Sequence, residues 1–258
     1  MRFKSLETFG GVELVRAFYP QRAFPTHTHR EFVIGAVTSG AETLEVGRQR
    51  HIAVAGSTLL LHPEQAHANA SLPPSPLGYS VFYIPDGVMT QWLEERPEFA
   101  SAVSEDGALH ERVRATHAVL ERSSDRLEQE TAFAALIEAL GRASASAQPR
   151  QAPELAGADI RRVKDYIDDN YAHDFGLEQL SQVAGLSRFH LVRAFKRTMG
   201  LSPLAYRNQR RIDEARLMLH GGQTITQIAL ALGYCDHAHL TRQFQRIVGV
   251  SPSQYRAQ

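Results

Sequence analysis

The sequence is short of the features that mark secreted, membrane-spanning or covalently catalytic proteins. It holds a single cysteine, Cys235, so no internal disulfide can form. The first 30 residues contain no continuous apolar stretch of the kind a secretory signal requires. Apolar runs elsewhere extend only a few residues, as at Leu59–Leu61, against roughly 20 needed to cross a bilayer. These absences predict a cytoplasmic protein without a membrane segment. No G-x-S-x-G nucleophile motif occurs, and Gly10-Gly11 and Gly221-Gly222 lack the spacing and following lysine of a phosphate loop. Cys235 sits beside a predicted helix start, where a reactive thiol is favoured, but with no second cysteine it reads as an ordinary turn residue. What is present is a chain of 258 residues, 43% apolar and 22% charged, enough for one large core or two modest ones. That composition excludes a disordered tail, a collagen and a minimal disulfide scaffold.

Net charge is also absent, since 28 basic residues balance 28 acidic ones. The balance breaks when the chain is cut near Leu155: residues 1–154 carry 14 basic and 19 acidic groups, and residues 155–258 carry 14 and 9. A basic half beside an acidic half suggests that the former meets nucleic acid. Only three lysines occur, Lys4, Lys164 and Lys196, so nearly all the positive charge is arginine, whose planar fork suits phosphate and guanine.

Residues 142–157 (RASASAQPRQAPELAG) are rich in Ala, Ser, Pro and Gln and show no hydrophobic period, which predicts an interdomain linker. Before it, residues 12–84 show short apolar or alternating runs (EFVIGAV, ETLEV, STLLL, YSVFYI) parted by Gly, Pro and Ser, the pattern of an antiparallel barrel or sandwich. Residues 86–141 turn helical, with Val113, Val119, Leu120, Leu127, Phe133, Leu136, Ile137 and Leu140 fitting either helices laid on the barrel or a dimer face.

Beyond the linker the pattern is helical and repeats itself at a period of 48 to 49 residues. LEQLSQVAGLSRFHLVRAFKRTMGLSPLAYR (177–207) aligns with ITQIALALGYCDHAHLTRQFQRIVGVSPSQYR (225–256) at twelve identities, among them Gln179/Gln227, Gly185/Gly233, Arg193/Arg242, Phe195/Phe244 and Pro203/Pro252. Each copy reads as a short helix ended by glycine, an N-cap candidate (Ser187, Asp236), and a second helix anchored by Leu191 and Phe195 or Leu240 and Phe244. That is helix–turn–helix spacing, over about 177–199 and 225–248. At 100° per residue, Arg193 and Arg242 each fall near 200° from the core leucine, and Lys196 and Gln245 near 140°. Both second helices therefore aim an arginine outward, as a helix in a major groove requires. Residues 204–219 read as one connecting helix that sets the spacing of the two units for successive major grooves, about 34 Å apart. Its Arg207, Arg210, Arg211 and Arg216 are expected either to touch phosphates or to form a solvated face.

Residues 160–256 resemble the AraC/XylS family of bacterial transcription regulators across both repeats, and GYCDHAHLTRQFQRIVGVSPSQYR resembles the family's signature segment. The resemblance implies a DNA-binding domain at 158–258, with Arg188, Phe189, Val192, Arg193 and Lys196 in the first unit, and His237, Ala238, His239, Thr241 and Arg242 in the second, facing double-stranded DNA. Val192 and Ala238 are apolar where relatives often place polar readers, and at most touch a thymine methyl.

HTHREFVIGAVTSG and GSTLLLHPEQAHAN resemble a cupin-type barrel, the usual sensory domain of this family. His27, His29 and Glu31 alternate, so on an extended strand they share a side, and His67 joins them from a later strand. Tyr83 and Phe82 are candidate pocket walls. Two or three histidines with a carboxylate suffice for a divalent metal, but the metal-binding cupin pattern places its glutamate four or five residues after the second histidine, where Glu31 follows by two. The residues are therefore read as a metal-free pocket for a small-molecule effector, with purely structural histidines or a divalent metal as the alternatives. The expected fold is α+β in two domains: a cupin-like antiparallel β-barrel with trailing helices (1–141), then an all-α, homeodomain-like double helix–turn–helix. The expected function is ligand-responsive, sequence-specific transcription regulation by a homodimer that contacts RNA polymerase. A metal-dependent cupin enzyme with a helical interaction domain is the competing expectation.

Overall fold

The computed structural model describes residues 2–93, 95–145 and 157–256. They form two compact units, an N-terminal one of residues 2–23 and 29–145 and a C-terminal one of residues 157–256 with which residues 24–28 group. The strands are β1 (Arg2–Leu6), β2 (Val12–Tyr19), β3 (Ala23–His27), β4 (Glu31–Ser39), β5 (Ala41–Val46), β6 (Gln49–Val54), β7 (Thr58–Leu61), β8 (His67–Leu72), β9 (Leu77–Pro85) and the short β10 (Val103–Ser104). One sheet has the order β1-β2-β9-β4-β7-β10 and the other β3-β8-β5-β6. The β2–β9, β4–β9, β4–β7, β5–β8 and β5–β6 ladders are antiparallel. Helices α1 (Asp86–Leu93), α2 (Gly107–Arg122) and α3 (Arg126–Ala145) follow the strands. Arg142–Ala145 are thus helical, and the remainder of the expected linker, residues 146–156, lies outside the described residues.

The large sheet is covered on both faces, which explains why β4 and β9 read as near-continuous apolar runs. Successive side chains of a strand point to opposite faces. On β9, Leu77, Tyr79 and Val81 enter an inner cluster with Val15, Val33, Leu44 and Leu61, whereas Phe82 and Ile84 enter an outer cluster with Phe32, Ile34, Val113, Leu120, Phe133 and Leu140. The helices therefore lie on the sheet, and Val113, Phe133, Leu136, Ile137 and Leu140 are core residues; Leu127 stays 73% exposed. Asp106 starts α2 by accepting hydrogen bonds from Ala108 N at 2.8 Å and Leu109 N at 3.3 Å. Strands β1 and β10 lie outside the expected 12–84 barrel: β1 adds an edge to β2, and β10 pairs with β7 through Val103↔Leu59.

The C-terminal unit consists of helices α4 (Ala158–Asn170), α5 (Leu177–Ala184), α6 (Arg188–Met199), α7 (Pro203–His220), α8 (Ile225–Ala231), α9 (His237–Val248) and α10 (Pro252–Arg256). Several of the repeated identities have a local task here. Gln179 accepts from Gly176 N at 2.7 Å and Gln227 from Thr224 N at 2.9 Å, closing the starts of α5 and α8. Gly200 and Gly249 end α6 and α9 in the left-handed conformation, at φ 73° and 94°. Ser202 and Ser251 then cap the next helix, each with a proline at its first position. Phe195 packs edge-on against Tyr206 at 5.7 Å, and Phe244 against Tyr255 at 5.5 Å, so the two modules share one aromatic joint.

Candidate functional site

The outward faces of α6 and α9 form the first candidate site. Ser187 starts α6 by accepting from His190 N at 3.4 Å, and Asp236 starts α9 by accepting from His239 N at 2.6 Å; this bond lowers the pKa of the Asp236 carboxyl. Leu191, Phe195, Leu240 and Phe244 are fully buried, which fixes the rotation of both helices. Arg188, Phe189, Arg193 and Lys196 are exposed and Val192 half-buried; on α9, His237 and Arg242 are exposed and Ala238, His239 and Thr241 half-buried. Phe189 is 65% exposed, with the Arg193 guanidinium 5.3 Å from its ring centroid. Arg188 pairs with Glu178 of α5 at 2.8 Å, and the His239 ring rests on Tyr234 at 5.1 Å. Arg193 and Arg242 occupy the same register in the two modules.

The connecting helix departs from expectation. Arg210, Arg211 and Arg216 are 6%, 5% and 8% exposed, and they bind protein groups. Arg210 Nε lies 2.6 Å from Asp168 Oδ1, an oxygen that Tyr206 also donates to at 3.0 Å. Arg211 donates to the carbonyls of Tyr171 at 2.6 Å, His173 at 3.3 Å and Gly233 at 2.9 Å, and burial lowers its pKa. Arg216 Nε donates to Tyr255 Oη at 3.2 Å. Arg207 donates to Phe175 O at 3.4 Å with its guanidinium over that ring at 5.0 Å. These four arginines hold the domain together instead of forming a phosphate-facing or solvated row. α7 is surrounded by other helices, so its polar stripe faces protein.

The second candidate site is the interior between the two sheets. His29 lies in the crossing to β4 and His67 opens β8, whereas His27 ends β3, a segment that groups with the second unit. His27 Nδ1 is 2.8 Å from Pro25 O and His67 Nδ1 2.8 Å from Gln65 O. A carbonyl only accepts, so both Nδ1 atoms carry hydrogen and both rings present the lone pair at Nε2. Burial lowers the pKa of His27 and keeps it neutral. The His29 ring packs against His67 at 5.2 Å and Tyr83 at 5.0 Å. Elsewhere in the interior Glu42, fully buried, accepts from Tyr79 Oη and from Asn69 Nδ2 at 2.8 Å. Desolvation raises the pKa of Glu42 and, with the Glu42 charge beside it, that of Tyr79.

Two family models match the chain. The AraC-like ligand binding domain covers residues 9–137, half of the chain, and the helix-turn-helix domain covers residues 180–258. The chain belongs to the AraC-type family of transcriptional regulators. The uncharacterized HTH-type transcriptional regulator YbfI of Bacillus subtilis is 27% identical over 221 residues, covering 83% of this chain and 80% of YbfI. The lactose operon transcription activator of Staphylococcus xylosus is 30% identical over 84 residues, 32% of this chain and 30% of that protein. Among solved structures, ToxT of Vibrio cholerae O395 superposes with a TM-score of 0.58 at 14% identity, over 95% of this chain and 97% of that one. An unsaturated fatty acid-bound ToxT from strain SCE256 gives 0.56 at 15% identity, over 94% of each chain. The family sets this AraC-type regulator among DNA-binding transcription factors and apart from the metal-dependent cupin enzymes.

In the AraC-type chain the rings of His29, His67 and Tyr83 pack together, while His27 and Glu31 do not share one strand, since His27 ends β3 and Glu31 opens β4. The alternation fails because the backbone leaves the strand between Thr28 and Arg30. Phe82 turns away from the interior and packs edge-on against His117 at 5.4 Å. Sequence reasoning missed Glu42, Asn69 and Tyr79. Glu42 carries a signal, as an acidic residue two positions before Leu44 on the same strand face, but the partners that make its burial tolerable come from β8 and β9.

Proposed function

We propose that this AraC-type regulator reads double-stranded DNA with α6 and α9 placed in successive major grooves, under the control of a small-molecule effector held between the sheets of its N-terminal unit. The observation that carries the reading is the matched pair of exposed arginines, Arg193 and Arg242, set at one register by buried Leu191–Phe195 and Leu240–Phe244. Arg193 and Arg242 read base edges; Arg188, Phe189, Val192, Lys196, His237, Ala238, His239 and Thr241 complete the two surfaces. Since His239 rests on Tyr234, it contributes more to positioning α9 than to direct readout. The apolar inner cluster of Val33, Leu61 and Val81, with Tyr83 packed against it, suits an apolar or amphipathic molecule, and the fatty acid of the ToxT structure makes that class the first to test. The regulator acts in the cytoplasm as a homodimer, with exposed Leu127 of α3 supporting association through the helices, and reaches RNA polymerase at its promoters. An effector acts by binding one conformational state more tightly than another.

The test is binding of the full chain to DNA from around its own gene, against random competitor and across salt concentration. Specific binding that falls steeply with salt is expected. Arg193→Ala and Arg242→Ala should each weaken specific binding by about 1–3 kcal/mol and leave random binding nearly unchanged. Equal loss on specific and random DNA would make that arginine a phosphate contact. Absence of specific binding by folded protein would remove the reading.

A further inference from the structure

The first turn of α6 carries an exposed aromatic ring between two tethered neighbours. Phe189 is 65% exposed, while Arg188 before it pairs with Glu178 at 2.8 Å and His190 after it has its Nδ1 3.0 Å from Ser187 Oγ. One turn further along the same face, Arg193 lays its guanidinium 5.3 Å from the Phe189 ring centroid. Ring and guanidinium thus form one surface, in which the arginine lies over an apolar plate before any DNA arrives. The second module differs at this point. Its position matching Phe189 is Ala238, so Arg242 has no ring four residues before it, and the ring of Tyr234 is taken by His239 at 5.1 Å and Arg211 at 5.4 Å.

We infer that Phe189 is a specificity-determining residue, by which α6 reads a thymine on the base pair next to the guanine held by Arg193, and that α9, without the ring, discriminates less sharply. The inference rests on the DNA reading proposed above and adds the identity of the bases. An arginine fork fits guanine O6 and N7, and an apolar side chain fits the C5 methyl of thymine, which in the major groove distinguishes that base from cytosine. Neighbouring bases are stacked about 3.4 Å apart, so two groups in contact on one helix face meet adjacent pairs. The plate also limits the rotamers open to Arg193 in the free protein, so less side-chain freedom is lost on binding than at Arg242.

The full chain is used to select bound duplexes from a pool of random-sequence DNA at about 0.15 M salt. A two-part site is expected, with guanine beside thymine in one part. Uracil in place of that thymine removes only the C5 methyl, and should weaken wild-type binding about fourfold, the worth of one buried methyl-sized group. Phe189→Ala should bind the thymine and uracil duplexes equally, with its urea midpoint unchanged because the ring is exposed. Phe189→Leu, which keeps an apolar contact without the ring face, should retain the response to uracil and lose part of the preference for guanine. Arg193→Ala should lose the guanine preference and still respond to uracil. A selected site that tolerates uracil at full wild-type affinity, or a loss on uracil that persists in folded Phe189→Ala, would overturn the assignment and leave the DNA reading standing. Failure to select any sequence would remove both.

Discussion

Replacing Arg210 by methionine separates a structural arginine from a DNA-binding one. The guanidinium, 7% exposed, lies 2.6 Å from Asp168, 3.6 Å from Asp213 and 3.8 Å from Glu214, and 5.8 Å from the Tyr171 ring centroid. Removing one partner of a buried ion pair costs about 3–5 kcal/mol, because the other charge stays buried. Asp168 would keep Lys164 at 3.0 Å and Tyr206, and Asp213 would keep Gln209 at 2.9 Å, so the lower end, about 3 kcal/mol, applies. With a urea slope of about 1.5 kcal/mol/M, the midpoint falls by about 2 M. Helix ellipticity follows this transition, while fluorescence of the single tryptophan, Trp92 in α1, reports the N-terminal unit and should not move. At a temperature where the variant stays folded, the dependence of log K on log salt should keep its wild-type slope. A phosphate contact predicts the reverse, near-normal stability with the slope reduced by about 0.9. That reverse pattern in Arg210→Met would refute the structural role, whereas it is the pattern expected for Lys196→Ala.

The two glycines that end α5 and precede α9 give a matched comparison. Gly185 has φ +67° and an open surrounding, so Gly185→Ala should cost about 1 kcal/mol; Gly233 has φ +72° and a Cβ there would meet Ala172 O at 2.2 Å, so Gly233→Ala should cost at least twice as much in the same urea assay. Equal costs would show that the close approach is relieved without strain. His117, 1% exposed, has its pKa lowered from 6.5 to about 4 by burial. The unfolded chain therefore takes up the proton first, and stability complete above pH 6.5 is lost as pH falls toward 4, by up to about 3 kcal/mol. Urea midpoints from Trp92 fluorescence at pH 7 and 5 check this, and a drop undiminished in His117→Asn would assign the loss to other groups. For Glu42 the sign is opposite, since its raised pKa means stability is lost as pH rises through the folded value. Glu42→Gln should accordingly be more stable than wild type at pH 7 and lose that advantage near pH 4; an unchanged or lower midpoint at pH 7 would contradict the buried-charge reading.

The duplicated module was legible because its punctuation is local. Glycine in the left-handed conformation, serine or aspartate at the cap and proline at the first turn act within a few residues, so Gly200-Leu201-Ser202-Pro203 and its copy place a helix end and a helix start without tertiary information. Facing was harder to read. On β9 both faces are buried, so the run YSVFYI does not reveal which side holds a site, and Phe82 went with the wrong one. The arginines of α7 look like a solvated stripe until α4, α8 and α10 are packed around them. Likewise alternation puts His27, His29 and Glu31 on one strand face, whereas a backbone break at residues 28–30, which residue types do not encode, divides them between β3 and β4, and the approach of His29 to His67 depends on tertiary packing.

Arg211 joins the carbonyls that follow α4 to the carbonyl that precedes α9. A single side chain therefore ties the entrance of the first module to the turn of the second, and its removal or their separation would strand three carbonyls. The spacing between the two reading heads is in this sense a fixed gauge rather than a flexible tether. On the proposed reading, operators should be phased strictly within one chain's footprint: inserting one base pair between the two half-contacts rotates the second by about 34–36°, and the Arg211 bonds hold the modules against following it. Variation in operator spacing then has to be taken up outside the footprint of one chain.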